Sequence, residues 1–218
     1  MENEKKAVKR GLFITFEGPE GAGKSTQVAR LLAYFEKNGC PARATREPGG
    51  TALAEKIREV VKGHDGAEKM HPRTELLLME AARAQHVREL ILPALAEGIT
   101  VICDRFSDST AVYQGDGRGL PQEVIRQVNE AACAGCRPDL TIVLDLPVEE
   151  SFRRTGKRPE TAGNYDRFEI AGTAFHQRVR QGFLRIAAEE PQRVKVVDAN
   201  ADADTVTERV REVLHGLV

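Results

Sequence analysis

The chain has 218 residues, with 32 Lys and Arg against 33 Asp and Glu and a formal net charge of −1. That length suits one α/β domain with a sizeable core, and the near-neutral balance argues against a global nucleic-acid or membrane surface. Four cysteines, at 40, 103, 133 and 136, are too few for a disulfide framework, and Cys133-x-x-Cys136 lacks the second pair or histidine that a zinc site needs. Residues 1–10 are polar, with no apolar run behind them, and no stretch approaches the ~20 apolar residues of a membrane span. The expectation is a cytoplasmic protein: a disordered extension over 1–10, then a single domain over 11–218.

In chain order, Gly11-Leu-Phe-Ile-Thr-Phe16 is a compact apolar run that stops at a glycine-rich turn, as a buried strand does. Val28, Leu31, Leu32 and Phe35 recur at helical spacing and Asn38-Gly39 supplies a stop, which predicts a helix over 24–37. A short strand over 41–46, a helix over 51–62, a longer helix over 73–96 bent near Pro93 and a strand over 99–104 follow. Pro121 opens another helix that runs to about Cys133, and 140–146 reads as a buried strand. Residues 153–167 carry Arg153, Arg154, Lys157, Arg158 and Arg167 with Gly156, Pro159 and Gly163 and no periodicity, which predicts a mobile loop. A helix around 175–186, a strand over 194–197 and a closing helix around 206–214 complete the chain. The alternation implies an α/β fold: a five-stranded parallel sheet with helices on both faces and ligands outside the carboxyl ends of the strands.

Gly18-Pro19-Glu20-Gly21-Ala22-Gly23-Lys24-Ser25 matches G-x-x-x-x-G-K-[ST] between a predicted strand and a predicted helix, and Thr26 continues into that helix. Glycines let backbone N–H groups turn toward phosphate oxygens, and the helix N-terminus adds roughly half a positive charge. Lys24 reaches the β/γ-phosphates, and Ser25 can hold Mg²⁺. ATP or GTP is the implied donor. Glu20 is the exception, since like charges repel; it should face a sugar hydroxyl or a cation.

Three more clusters fall at predicted strand ends or beside them: Thr45-Arg46-Glu-Pro48-Gly-Gly-Thr51, Ala82-Arg83-Ala-Gln-His86, and Asp104-Arg105-Phe-Ser-Asp-Ser109 running to Tyr113-Gln114-Gly115. Arg46 and Arg105 each offer a fork that matches a phosphate, which suits a second, monophosphate acceptor. Asp104, at the end of a strand, can hold Mg²⁺ or its waters or serve as a helix N-cap. These residues leave open kinases for several monophosphates (dTMP, dUMP, UMP or CMP). A nucleotide-dependent regulatory ATPase is the reading of a different class, in which Arg46 and Arg105 are salt-bridge partners only.

Taken together, Gly18–Thr26, Arg46-Glu-Pro-Gly-Gly-Thr51, Ala81-Ala-Arg83, Asp104-Arg105, Tyr113-Gln-Gly115 and Arg137-Pro-Asp139 resemble the ordered motifs of bacterial thymidylate kinases from about Leu12 to the C-terminus. The resemblance implies a nucleoside-monophosphate kinase fold with a lid at about 153–167, and a homodimeric, Mg²⁺-dependent enzyme that makes dTDP and ADP from dTMP and ATP. It implies that Arg46, Arg83 and Arg105 hold the acceptor phosphate or brace the pyrimidine site, with Pro48 and Ser109 beside them. Gln114 would read the base, Tyr113 would lie against the deoxyribose, and Glu20 would face its 3′-hydroxyl side. Glu20 without a loop arginine is similar to members whose catalytic arginines, here Arg153 and Arg158, sit in the lid. Where the family usually has Phe to stack on thymine, this chain has Met79, which packs on a ring with less shape specificity.

Overall fold

The computed structural model describes residues 10–63, 69–156 and 172–215. The expected extension up to residue 9 and the lid from residue 157, Lys157 and Arg158 included, therefore lie outside the described residues. The Arg10 guanidinium meets Asp139 at 2.7 Å, and Asp139 also accepts from the N–H of Phe13.

The elements in order are β1 (Phe13–Glu17), α1 (Lys24–Lys37), β2 (Ala42–Arg46), α2 (Ala52–Lys62), α3 (Pro72–His86), a π-helical turn (Val87–Ile91) and α4 (Leu92–Ala96). They continue with β3 (Thr100–Asp104), α5 (Ser107–Thr110), a second π-helical stretch (Ala111–Gly117), α6 (Gln122–Cys133) and β4 (Leu140–Asp145). Finally come α7 (Val148–Thr155), α8 (Thr173–Glu189), β5 (Val194–Asp198) and α9 (Ala203–Leu214).

The strands form one parallel sheet in the order β2-β3-β1-β4-β5, as the alternating pattern predicts. Side chains alternate across it. Ile14, Phe16, Ile102, Ile142 and Leu144 face one layer with Val28, Leu31 and Phe35 of α1 and Val206, Val210 and Leu214 of α9. Phe13, Val101 and Cys103 meet Val87, Ile91 and Leu95 on the other face, where Val143 and Val194 pack with Val179 and Phe183 of α8. Each such side chain contributes roughly 1.5–3 kcal/mol on burial.

The structure differs from the periodicity reading in three places. Near Pro93, where a bend is expected, the long helix over 73–96 is interrupted by a π turn over Val87–Ile91, and Pro93 lies in the first turn of α4. Proline has no N–H to give the carbonyl four residues back, and a widened turn re-pairs the ladder, with Leu92 N–H on Val87 O. Residues 107–117, read only as a motif, are helical. Arg153 and Arg154 are not in a loop but on α7, which Pro147 precedes and Gly156 ends in a left-handed conformation at φ 65°.

Register brings the strand ends level. Phe16 pairs with Asp104, and Asp104 with Arg46, so the glycine-rich loop, the Asp104-Arg105 turn and Arg46 share one edge of the sheet.

Candidate active site

A crevice of about 520 Å³ opens at that edge. Its walls include Glu20, Gly21, Gly23, Lys24, Ser25 and Thr26 from the loop and α1, with Arg46 at the end of β2 and Pro48 beyond it. Met79 and Arg83 of α3, Asp104 at the end of β3, and Arg105, Ser109, Tyr113 and Gln114 beyond it line the other side. The donor and acceptor motifs, far apart in the chain, thus face one space.

The loop follows from its glycines. Gly18 has φ 129°, and a Cβ there would lie 2.4 Å from Leu144 O, so any side chain would collide with β4. Gly23, at φ 88°, precedes α1, which has no side-chain cap and no acid in its first turn, and so leaves its first N–H groups available to an anion. Pro19 and Ala22 belong to the same loop; the Lys24 ammonium lies against the carbonyls of Pro19 at 2.7 Å and Gly18 at 3.1 Å. Burial, reinforced by the charge of Arg105, pulls the Lys24 ammonium down to about 8. Ser25 Oγ donates to Asp104 Oδ2 at 2.6 Å, so a hydroxyl and a carboxylate, both hard oxygen donors, converge beside Lys24.

Arg105 is the hinge between the two halves. Its backbone is left-handed at φ 72°, costly for a residue other than glycine and most often seen at functional positions. Nη1 donates to Gly18 O at 3.1 Å and Ser109 Oγ at 3.2 Å, Nη2 lies 3.3 Å from Glu20 Oε1, and the guanidinium sits 4.9 Å over the Tyr113 ring. Burial works against its charge, but Tyr113, Glu20, Glu17 and Asp104 outweigh that and hold it above the ordinary range. Glu20 faces a cation, one of the two outcomes its charge predicts; Tyr113 O–H is 3.4 Å from the same oxygen.

Arg46 reaches Glu55 at 2.9 Å and is half exposed, whereas Arg83 is buried. Arg83 Nε donates to Glu47 at 2.8 Å, and its Nη1 meets Glu80, Thr110 and Asn129. Burial opposes the charge of Arg83, and Glu47 and Glu80 more than restore it. Most of that guanidinium is spent inside the protein, so Arg83 braces the pocket rather than offering an open fork. Arg153 is not brought into the crevice: on the outer face of α7 it pairs with Glu150 at 2.6 Å.

Sequence reasoning missed several residues in or beside the crevice. Arg58 and Lys62 also line the crevice; they stand one helical turn apart on α2, a spacing that could have flagged them, and Arg58 donates to Pro48 O at 2.7 Å. His176, buried on α8, has Nδ1 3.9 Å from Glu20 Oε2, and Ser151 Oγ donates to Glu20 O at 2.6 Å. Glu17, wholly buried at the end of β1, accepts from the N–H groups of Phe106 and Ser109 and from Ser109 Oγ at 2.5 Å. Burial, then the nearby Asp108, push its carboxyl up to about 7. Only tertiary contacts reveal these three.

A glycine-rich loop at a helix N-terminus, a paired hydroxyl and carboxylate, and an arginine bonded to both Gly18 O and Ser109 Oγ are features that suit phosphoryl transfer. A family model described as thymidylate kinase matches residues 16–210. A thymidylate kinase from Pseudomonas putida is 49% identical over 208 residues, which cover 95% of this chain and 97% of that protein. One from Pseudomonas fluorescens is 54% identical over 189 residues, 87% and 88% of the two chains. The crystal structure of thymidylate kinase from Ehrlichia chaffeensis superposes with a TM-score of 0.74 at 33% identity and covers 94% of this chain and 99% of its own. With similarity along nearly the whole chain, the protein belongs to the thymidylate kinase family, enzymes that use ATP to phosphorylate dTMP to dTDP.

Proposed function

We propose that the crevice holds ATP and dTMP end to end, with Arg105 at the junction. The supporting observation is the Arg105 guanidinium itself, bonded at once to Gly18 O of the donor loop and Ser109 Oγ of the acceptor wall. The β- and γ-phosphates lie on the 18–26 loop and the N-terminus of α1, with Lys24 beside them. Arg46 and Arg105 face the acceptor phosphate, and Pro48, Met79, Arg83, Ser109, Tyr113 and Gln114 enclose the nucleoside. The second pKa of a phosphate monoester is about 6, so the acceptor arrives as a dianion and no general base is required. The barrier is repulsion between two anions, which Lys24, Arg105 and the α1 N-terminus offset while they align donor and acceptor. Ser25 and Asp104 would hold Mg²⁺, a hard cation for oxygen donors that neutralises phosphate charge when bound.

Arg153 and Arg158 complete the proposal as lid arginines. Arg153 starts from an exposed pair with Glu150, the kind of partner that a phosphate readily displaces. The same reading includes a homodimer, supported by exposed apolar Leu53 and Val60 on α2 and Leu77 on α3, a helix face of the sort a second copy covers. It also places the enzyme in the cytoplasm, in keeping with four free cysteines and with no helix among the described residues long and apolar enough to cross a membrane.

The test is ADP release with ATP and Mg²⁺, with dTMP, dUMP, UMP and dCMP compared as acceptors, in the wild type and in Arg105→Lys. Preference for dTMP is expected, with kcat/KM for dTMP lowered about 10²-fold or more in the variant, because a point charge replaces a two-pronged contact. An Arg105→Lys enzyme with unchanged kcat/KM would remove Arg105 from the junction.

A further inference from the structure

Gln114 lies on the π-helical stretch after α5, almost wholly buried, and lines the crevice. Its Nε2 donates to Glu75 Oε1 at 2.8 Å. Glu75, on α3, is 0% exposed, and its other flank meets Arg118, whose Nη2 lies 3.4 Å from Oε2 and whose Nε lies 3.4 Å from Oε1. Arg118 is held in turn over the Phe175 ring at 5.0 Å. An amide alone does not declare which end is nitrogen, but a carboxylate set against a guanidinium has only acceptors to offer. The atom that faces Glu75 must be the NH₂. The carbonyl oxygen of Gln114 is therefore turned away from Glu75.

We propose that Glu75, braced by Arg118, is a positioning residue that locks the Gln114 amide in one orientation and so sets the base preference. The enzyme then favours a pyrimidine with an N3–H, as in thymine and uracil, over one whose N3 is an acceptor, as in cytosine. This inference rests on the reading that Gln114 faces the base. With the carbonyl fixed toward the ligand, Gln114 accepts from N3–H; cytosine would require the amide to flip. Flipping would set its oxygen against the buried Glu75 carboxylate, acceptor against acceptor. Met79 can pack on either ring but cannot tell one base edge from another, so the discrimination falls to the locked amide.

Glu75→Gln tests the lock, because the new amide can turn with Gln114 and satisfy either orientation. The readout is the ratio of kcat/KM for dTMP to that for dCMP, with dUMP, which shares thymine's edge, as the control. The lock predicts a fall in the dTMP/dCMP ratio of about tenfold or more, mainly through a gain on dCMP, with the dTMP/dUMP ratio unmoved. A general loss of packing would lower all three activities together and leave the ratios intact, which overturns the proposal. Gln114→Leu separates the two ideas. If it collapses dTMP/dCMP while Glu75→Gln does not, the lock alone fails; if it leaves the ratio unchanged, the base-facing role of Gln114 fails and the lock with it. Should Glu75→Gln not fold, Arg118→Met loosens the same carboxylate from its edge, and a smaller fall in the same ratio is expected; no fall there overturns the lock.

Discussion

Glu17 makes a buried charge measurable as a pH slope. Its carboxyl is enclosed, and it rises from an ordinary 4.5 to about 7, through burial first and the neighbouring charge of Asp108 second, with Arg105 and the bonds from Ser109 and Phe106 pulling the other way. A carboxyl raised in the folded state adds stability that is fully present below 4.5 and is lost as pH rises through about 7. At about 1.4 kcal/mol per pK unit, this rise corresponds to a loss of roughly 3 kcal/mol across that window. Glu17→Gln keeps the shape and one acceptor for the Phe106 and Ser109 N–H groups but cannot ionise. Urea denaturation of both proteins at pH 5, 6, 7 and 8 should therefore show wild-type stability falling relative to the variant by about 2.5 kcal/mol from the lowest pH to the highest, the first part of the loss lying below pH 5. Asp108→Asn should move the wild-type midpoint of that fall to lower pH, since it removes a repelling charge. Parallel stability curves with a constant offset between wild type and Glu17→Gln would refute the reasoning, because they would mean that the carboxyl titrates alike folded and unfolded.

Lys24 gives the opposite case: its ammonium drops to about 8, so its contribution is present above 10.5 and lost as pH falls through 8. Lys24→Met should slow ADP release on the order of 10²–10³-fold, yet melt higher than wild type at pH 7, with the gap closing toward pH 10; a lower melting point at pH 7 would contradict the burial cost. Gly50→Ala should destabilise by about 1–3 kcal/mol in urea. Gly50 has φ 86°, and a Cβ there would lie 2.5 Å from His86 Nε2 and 2.6 Å from Thr45 Oγ1, themselves bonded at 2.7 Å. Equal urea midpoints would sink that packing argument.

Much of this architecture is legible along the chain because its signals are local. Val28, Leu31, Leu32 and Phe35 repeat at helical spacing, and Gly18, Gly21 and Gly23 stand where the backbone must turn around phosphate, so α1 and its loop need no tertiary knowledge. Asp104 and Arg105 are equally visible as polar residues that end an apolar run, Arg46 ends a short strand, and parallel topology makes strand ends converge. What sequence order does not carry is who faces whom. The two π-helical stretches widen a helix without changing its apolar period, and the spending of Arg83 on Glu47 and the anchoring of Gln114 by Glu75 join residues 36 and 39 positions apart. Arg83 and Arg105 look alike in the sequence, as arginines within short polar motifs. Only packing makes one a buried brace and ties the other to both Gly18 O and Ser109 Oγ, because a guanidinium's role depends on which acceptors surround it once water has been excluded.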